Sequence, residues 1–474
     1  MTCRGWSAAF GLAWLLVPCR GFAQADARGD APVPPPSAAT SASENPSPPS
    51  AVESAPPVLP PPSTSGPTIE LPPEVAAPEP TESHIGLQLG VTPDQNDSLL
   101  RGLEPQRMSQ PRTVVGGYGQ FDLEALRQGN NGRFNTSANV RRIVLFVAHP
   151  ITDDIRIYTE FEWENAVAAP GFQGSAEVEQ AFVQWRLAGD LLALRVGLVL
   201  VPMGIVNQWH EPPVFNGVER PIVDQLIIPS TWRELAAGFV GNWQQLLRYE
   251  LYMSTTLNPM KMSETGLQGA TTLGSFAPAK AFAVMGRAEV EPWLGVIAGA
   301  SFFLSNTGPN GDFFDADMHR RHIALPVLGY ALDARMRRWG FEARAVWAQF
   351  FLPNSDALMT ADKIDGSPII PLTSNVGAVP ERVQGGYFEL AYNVFSLTKI
   401  THELLGFVRL EYYNSQASVP AGYVTDGNLD VRELTMGITY RPITQLVFKT
   451  DVQLRDRRLG LDELQYNLGF GYMF

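Results

Sequence analysis

From Thr113 to Phe474 the chain repeatedly alternates apolar and polar side chains with a period of two, in bursts separated by breaks. Such alternation marks strands that present one face to an apolar medium and the other to a polar one. Sixteen segments carry it: Val114–Leu126, Ser137–Ala148, Asp154–Ala166, Ala176–Leu187, Leu191–Leu200, Arg233–Trp243, Leu246–Thr256, Lys280–Glu291, Leu294–Ser305, Pro326–Arg338, Phe341–Leu352, Arg382–Phe395, Leu404–Ala417, Asp430–Arg441, Gln445–Arg457 and Glu463–Phe474. The breaks sort by length. "HPITD", "AGD", "NWQQ", "EPWL", "WG" and "RPIT" are tight turns, whereas 201–232, 256–279 and 353–381 are long. A soluble sandwich has no reason to sort its connections this way. A closed transmembrane antiparallel β-barrel does, with short turns at one end and long loops at the other. The expected fold class is therefore all-β, a barrel of about 16 strands.

The faces agree with that expectation. In "IRIYTEFEWE", Ile155, Ile157, Thr159, Phe161 and Trp163 share one side, and Arg156, Tyr158, Glu160, Glu162 and Glu164 the other. In "LLRYELYM", Leu247, Tyr249, Leu251 and Met253 oppose Arg248, Glu250 and Tyr252. A charge on the lipid face costs roughly 2–4 kcal/mol at mid-depth, so the charged sides are expected to point into the lumen. The last segment, "ELQYNLGFGYMF", has Leu464, Tyr466, Leu468, Phe470, Tyr472 and Phe474 on one side and small or polar residues on the other. Its apolar side is expected to face lipid while its backbone pairs with the first strand to close the ring.

The segments before Thr113 have a different texture. Met1–Ala25 combines Arg4, the apolar run "WSAAFGLAWLLV" and small residues in "GFAQA", the pattern of a secretory signal. Residues 26–112 form a Pro/Ala/Ser-rich stretch with 17 of the 39 prolines between Pro32 and Pro80. It cannot bury enough apolar surface to offset its ordering entropy and reads as a disordered periplasmic tether. The domain division is thus 1–25 signal peptide, 26–112 tether and 113–474 barrel. Both cysteines, Cys3 and Cys19, fall in the signal, so the exported chain uses neither disulfides nor thiolate–metal chemistry. A net charge of −13 argues against nucleic acid as a partner.

Strand parity assigns to the lumen the basic residues Arg156, Arg186, Arg195, Arg248, Arg287, Arg335, Arg337, Arg344, Arg409, Lys449 and Arg455. It assigns the acidic residues Asp122, Glu124, Glu160, Glu162, Glu164, Glu250, Glu289, Asp333, Glu342, Glu389, Glu411, Glu433 and Asp451 to the same side. One of Arg141 and Arg142 should join them, and parity does not choose between the two. A wall this closely balanced either separates into facing rings of opposite sign or neutralises itself in cross-strand pairs.

The break at 201–232 is dense in proline, Ile, Val, Leu and Trp, residues that a loop exposed to bulk water seldom concentrates. It is expected to fold inward as a constriction carrying His210, Glu211, Glu219, Arg220 and Asp224, with Arg233 and Glu234 at its exit. Around it, "VRRIVLFV", "RVGLVLVPMG", "GVERP", "IIPSTWRELAAGFVG" and, later, "GGYFELAYN" resemble the phosphate-selective porins of the O and P type. The specific part of the resemblance lies between about Val140 and Gly241. It implies a sixteen-stranded channel of the Gram-negative outer membrane, usually trimeric, with the third loop folded inward, while the signal segment points to export through the Sec pathway. The terminal Phe474, with aromatics two and four residues earlier, resembles the assembly signal of such porins. The family also implies an arginine ladder with lysines near the constriction. Arg335, Arg337, Arg344, Arg409 and Arg455 match the ladder, but Lys261, Lys280, Lys363, Lys399 and Lys449 are scattered and none is in the loop. Arginine would then have to replace lysine as the phosphate ligand, through bidentate contacts.

The expected function is passive diffusion of small hydrophilic solutes or ions, phosphate or other anions included, without a cofactor. An enzyme reading, a barrel hydrolase, would need a nucleophile and base on adjacent strands. His149, His210, His319, His322 and His402 have no Asp and Ser at a spacing that provides it. "DADMHRRH" holds Asp315, Asp317, His319 and His322 but lacks a ligand cage, so no metal is assigned. Outer-membrane lipids are the expected surroundings. The Pro-rich tail, hanging in the periplasm, has the reach to contact peptidoglycan, an envelope-tethering role compatible with a pore.

Overall fold

A computed structural model of the chain describes residues 113–129, 132–244, 246–370 and 377–474. The signal and tether expectations lie outside the described residues. Eighteen strands follow one another: β1 Val114–Gln128, β2 Asn135–Pro150, β3 Ile155–Glu164, β4 Ala176–Ala188, β5 Leu192–Leu200, β6 Arg233–Trp243, β7 Leu247–Ser254, β8 Ala283–Trp293, β9 Val296–Asn306, β10 Phe313–Phe314, β11 Arg320–Arg321, β12 Pro326–Arg338, β13 Phe341–Phe351, β14 Arg382–Asn393, β15 Glu403–Ser418, β16 Asp430–Ile443, β17 Leu446–Arg457 and β18 Glu463–Met473. Sixteen of them pair with their neighbours into one closed antiparallel barrel, and the two-residue strands β10 and β11 form a separate hairpin within a loop. Each of the sixteen periodic segments is a barrel strand.

Closure occurs where the last segment predicts it. β18 pairs with β1 from Tyr118↔Met473 to Gln128↔Glu463. Phe474 extends the ladder by one residue, its N–H donating to the Gly117 carbonyl at 2.9 Å and its carbonyl accepting from the Gly117 N–H at 3.1 Å. A ring with no open edge leaves no backbone row unpaired, the condition a sheet must meet in an apolar medium. The Trp339–Gly340 turn between β12 and β13 has φ of 55° and 81°, the positive pair that a two-residue hairpin requires.

The two faces of the ring differ as the alternation demands. Every barrel strand leaves large apolar side chains exposed on one face, for example Leu123 on β1, Val183 on β4, Leu251 on β7, Leu332 on β12, Leu410 on β15 and Leu468 on β18. On the opposite face Gln120, Asp122, Glu160, Arg287, Asp333, Arg409, Glu433 and Asn467 are buried. A face that is polar and yet buried within a single closed sheet is its interior. Near the end bearing the long connections, the interior also holds an apolar core. There Val201, Met203, Ile227, Ile228 and Trp232 of the 201–232 segment meet Phe303, Phe350, Val383 and Tyr413 of the wall.

The candidate site: an inward loop on a charged wall

The segment between β5 and β6 is clipped at its base by one side chain. The Asn207 amide donates to the carbonyls of Val201 at 2.8 Å and Trp232 at 3.0 Å, and its carbonyl accepts from the Trp232 N–H at 2.8 Å. Trp232 is fully buried, 4.6 Å from Phe303 between ring centres, and its indole N–H donates to Glu234 at 3.1 Å. Between these ends the loop reaches strands all round the ring. Gln208 donates to Glu250 on β7, Asn216 to Glu389 on β14, and the Val218 N–H to Asp451 on β17 at 2.6 Å. The Val223 N–H donates to Glu411 on β15. A segment that touches β7 and β17 at once lies inside the barrel.

Small residues on the wall make room for it. A Cβ at Gly469 would stand 2.7 Å from Val218, and one at Gly471 2.4 Å from Pro212. This is why β18 carries glycines on its inner face. Gly471→Val is expected to force the loop off the wall at a cost of about 1–3 kcal/mol. A lowered temperature for the heat-induced mobility shift of the folded protein in gels would register it.

The charged residues singled out by parity mostly hold one another. Arg287 donates to Asp333 at 2.7 Å and Glu289 at 2.7 Å, and Glu289 also meets Arg335 at 3.2 Å and Arg248 at 3.3 Å. Arg409, fully buried, donates to Glu411 at 2.6 Å and Glu389 at 3.3 Å, and reaches the Asn216 carbonyl. Arg455 donates to Glu433 at 2.6 Å and lies 3.5 Å from Glu219 of the loop. Arg344 donates to the Val214 carbonyl at 2.6 Å. Arg337 pairs with Glu403 and Glu342. The Lys449 ammonium sits 3.7 Å above the Phe215 ring. The wall is therefore less a pair of opposed rings than a set of cross-strand ion pairs, several of them tied to the loop.

The loop's own charges separate. Glu219 reaches Arg141, Gln453 and Arg455. Arg220 turns back on its own segment, donating to Ser230 at 2.8 Å and Thr231 at 2.9 Å. Burial pushes the Asp224 carboxyl up to about 7 and the His210 imidazole down to about 3. Arg233 pairs with Glu177 on β4, whereas Glu234 accepts from Thr255 at 2.5 Å.

The undecided choice between Arg141 and Arg142 has a physical answer: both turn inward. Gln120 pairs with Arg142 but Phe121 with Val140, so Arg141 is the extra residue of a β-bulge, which resets the alternation. Arg141 donates to Asp122 at 2.6 Å and reaches Glu124, while Arg142 lies 3.4 Å from Glu162. A second bulge brings in a residue that parity missed. Gln180 pairs with Glu160 but Val178 with Phe161, leaving Glu179 as the extra, fully buried residue. Arg441, also absent from the predicted wall, is buried and pairs with Glu403 at 3.1 Å. It shares the parity of Glu433, so alternation alone could have found it.

One stretch of the inner wall borders open space. A polar cavity of about 110 Å³ is lined by Arg156, Gln180, Gln184, Arg186, Asp190, Arg195, Gln208, Arg248, Glu250, Arg287 and Glu289. Arg186 lies 3.6 Å from Asp154, and Arg195 donates to Gln184 at 2.9 Å while stacking 4.6 Å over Phe182.

No family model matches the chain. An uncharacterised protein of Aquifex aeolicus is 29% identical over 367 residues, which cover 76% of this chain and 79% of that protein. Among solved structures, the chain is similar to the outer-membrane channel DcaP of Acinetobacter baumannii, at 11% identity over 78% of this chain and 99% of that one, with a TM-score of 0.48. It is also similar to an anion-selective porin from Comamonas acidovorans, at 9% identity over 77% and 100% of the two chains, with a TM-score of 0.47. OprB of Pseudomonas putida is similar at 8% identity over 77% and 94%, with a TM-score of 0.48.

Proposed function

We propose that this chain is a porin of the Gram-negative outer membrane, passing small hydrophilic solutes and ions by diffusion through a lumen narrowed by the 201–232 loop. The observation that carries this reading is the combination of an apolar outer belt with a charged, buried inner face that holds a loop across the ring. A sixteen-stranded ring is wide enough for an aqueous channel, and an inserted loop then sets its bore. The belt meets lipid or, in a homotrimer, neighbouring copies. The long loops face outward and the Pro-rich tail hangs in the periplasm, within reach of peptidoglycan. The role is passage, not catalysis.

Selectivity follows from the charges that line the open space, paired or not. The cavity has five arginines, Arg156, Arg186, Arg195, Arg248 and Arg287, against Asp190, Glu250 and Glu289. That excess favours anions modestly. The arginines matching a phosphate ladder, Arg335, Arg337, Arg344, Arg409 and Arg455, are engaged by carboxylates or by the loop. Phosphate therefore passes as one small anion among others, without a dedicated ligand set. Under a KCl gradient the folded protein in a planar bilayer is expected to give an anion-leaning reversal potential. Added phosphate should leave the chloride current unblocked. Changing Arg156, Arg195 and Arg248 together to Gln should move the potential toward the cation side. A cation-leaning wild type would overturn the selectivity, and saturable block by phosphate would restore a specific phosphate site.

A further inference from the structure

The bulge on β4 puts Glu179 against the loop, and what it meets there is chemically particular. Its Oε2 lies 3.4 Å from His210 Nε2, and Glu160 on β3 completes a group whose ligand-capable atoms all fall within 4.8 Å of one another. All three residues are buried, Glu179 completely. Among the described residues, no N–H or O–H donates to Glu179 Oε1. The Glu162 carboxyl stands within hydrogen-bonding range of Glu179, and Glu211 follows His210 on the loop. Four carboxyl groups, those of Glu160, Glu162, Glu179 and Glu211, thus share this corner with two guanidiniums, Arg142 and Arg220. With all of them ionised, two negative charges are left over in a water-poor site, an expensive arrangement unless something positive neutralises them.

We infer that Glu160, Glu179 and His210 bind a divalent transition-metal ion of the zinc type, which joins the inward loop to strands β3 and β4. The donor set suits it: one imidazole nitrogen and two carboxylate oxygens, with a fourth position left for water or Glu211. His210 Nδ1 lies 3.3 Å from the Asn207 carbonyl, so Nδ1 carries the proton that it donates there and Nε2 is the nitrogen that ligates. Zinc–ligand bonds of about 2.0–2.1 Å in a tetrahedron hold donor atoms roughly 3.3 Å apart, close to the His210–Glu179 separation of 3.4 Å. The ion supplies the two missing positive charges, and bidentate binding by Glu179 gives Oε1 a partner beside Oε2. Tyr118, whose ring meets His210 edge-on at 6.1 Å, backs the imidazole. The competing occupant is a proton shared between Glu162 and Glu179.

The test uses the full chain folded in detergent, stripped with chelator, loaded with Zn²⁺ and dialysed against metal-free buffer. About one zinc per chain should remain, and the heat-induced gel shift should move to higher temperature on loading. Glu179→Gln and His210→Ala should each weaken zinc binding at least ~10-fold by competition with a chromogenic chelator, since mutating even a group that only supports a ligand costs about that much. Glu160→Gln serves where either of these fails to give the heat-modifiable form. His319→Ala with His322→Ala, in the exposed loop, should leave binding unchanged. Co²⁺ in place of Zn²⁺ should give visible absorption bands that Glu179→Gln removes. No retained zinc, or zinc equally retained by Glu179→Gln, would overturn the site and leave the shared proton. None of these readouts depends on conduction, so the site and the pore stand or fall separately.

Discussion

Replacing Arg409 by alanine is expected to destabilise the folded barrel by about 3–5 kcal/mol, the cost of breaking a buried ion pair by removing one partner. The side chain is fully buried. It lies between Glu411 and Glu389 on β15 and β14, and its third contact is the Asn216 carbonyl on the loop. Truncation strands two carboxylates and unpins the loop in the same step. Urea titration of the folded protein in detergent, followed by the loss of heat-modifiability, measures it. The companion variant Arg409→Met with Glu411→Gln and Glu389→Gln should recover most of the loss, because an apolar replacement without stranded charges is often near neutral. A cost for Arg409→Ala of about 0–1 kcal/mol, the range of an exposed pair, would mean the guanidinium stands in water instead.

The second large effect concerns conduction. Excising the loop from Asn207 to Ile228 and closing the gap with a short Gly/Ser linker is expected to raise single-channel conductance several-fold. The loop crosses the interior from Glu250 on β7 to Asp451 on β17, so its removal clears the interior rather than a rim. The freed wall arginines and glutamates would then solvate, as charges lining wide porins do. Because the apolar core around Trp232 loses its filling, the variant is compared only in its heat-modifiable form. Gly471→Val separates the loop's position from its presence: it leaves the loop in place but displaced, and should give noisier rather than larger openings.

The barrel was legible because period-two alternation is a physical demand of a wall between lipid and an interior. Counting the alternating segments gave the strand number, and the sorting of the breaks by length gave the barrel. In Pro326–Arg338 even the ends agree, since the Trp339–Gly340 turn and Pro326 punctuate it. The inward loop was legible from its apolar density, and Val201, Met203, Ile227 and Trp232 do form a buried core. What stayed hidden was set by bulges and by partners distant in sequence. Alternation assumes one residue per pleat, so the extra residues Arg141 and Glu179 fall outside any parity rule. Nor can spacing reveal that Lys449 meets Phe215, or that Arg455 meets Glu219. The inner glycines of β18 read as merely small until the loop they seat is in place.

Single-channel recording decides whether this ring conducts through a bore set by its inward loop. Heat-modifiable protein inserted in a planar bilayer in KCl should give discrete, small, ohmic current steps. The loop-excised variant should give larger ones with a weaker anion preference. Folded protein that yields no steps, or an excised variant with unchanged conductance, would contradict the account.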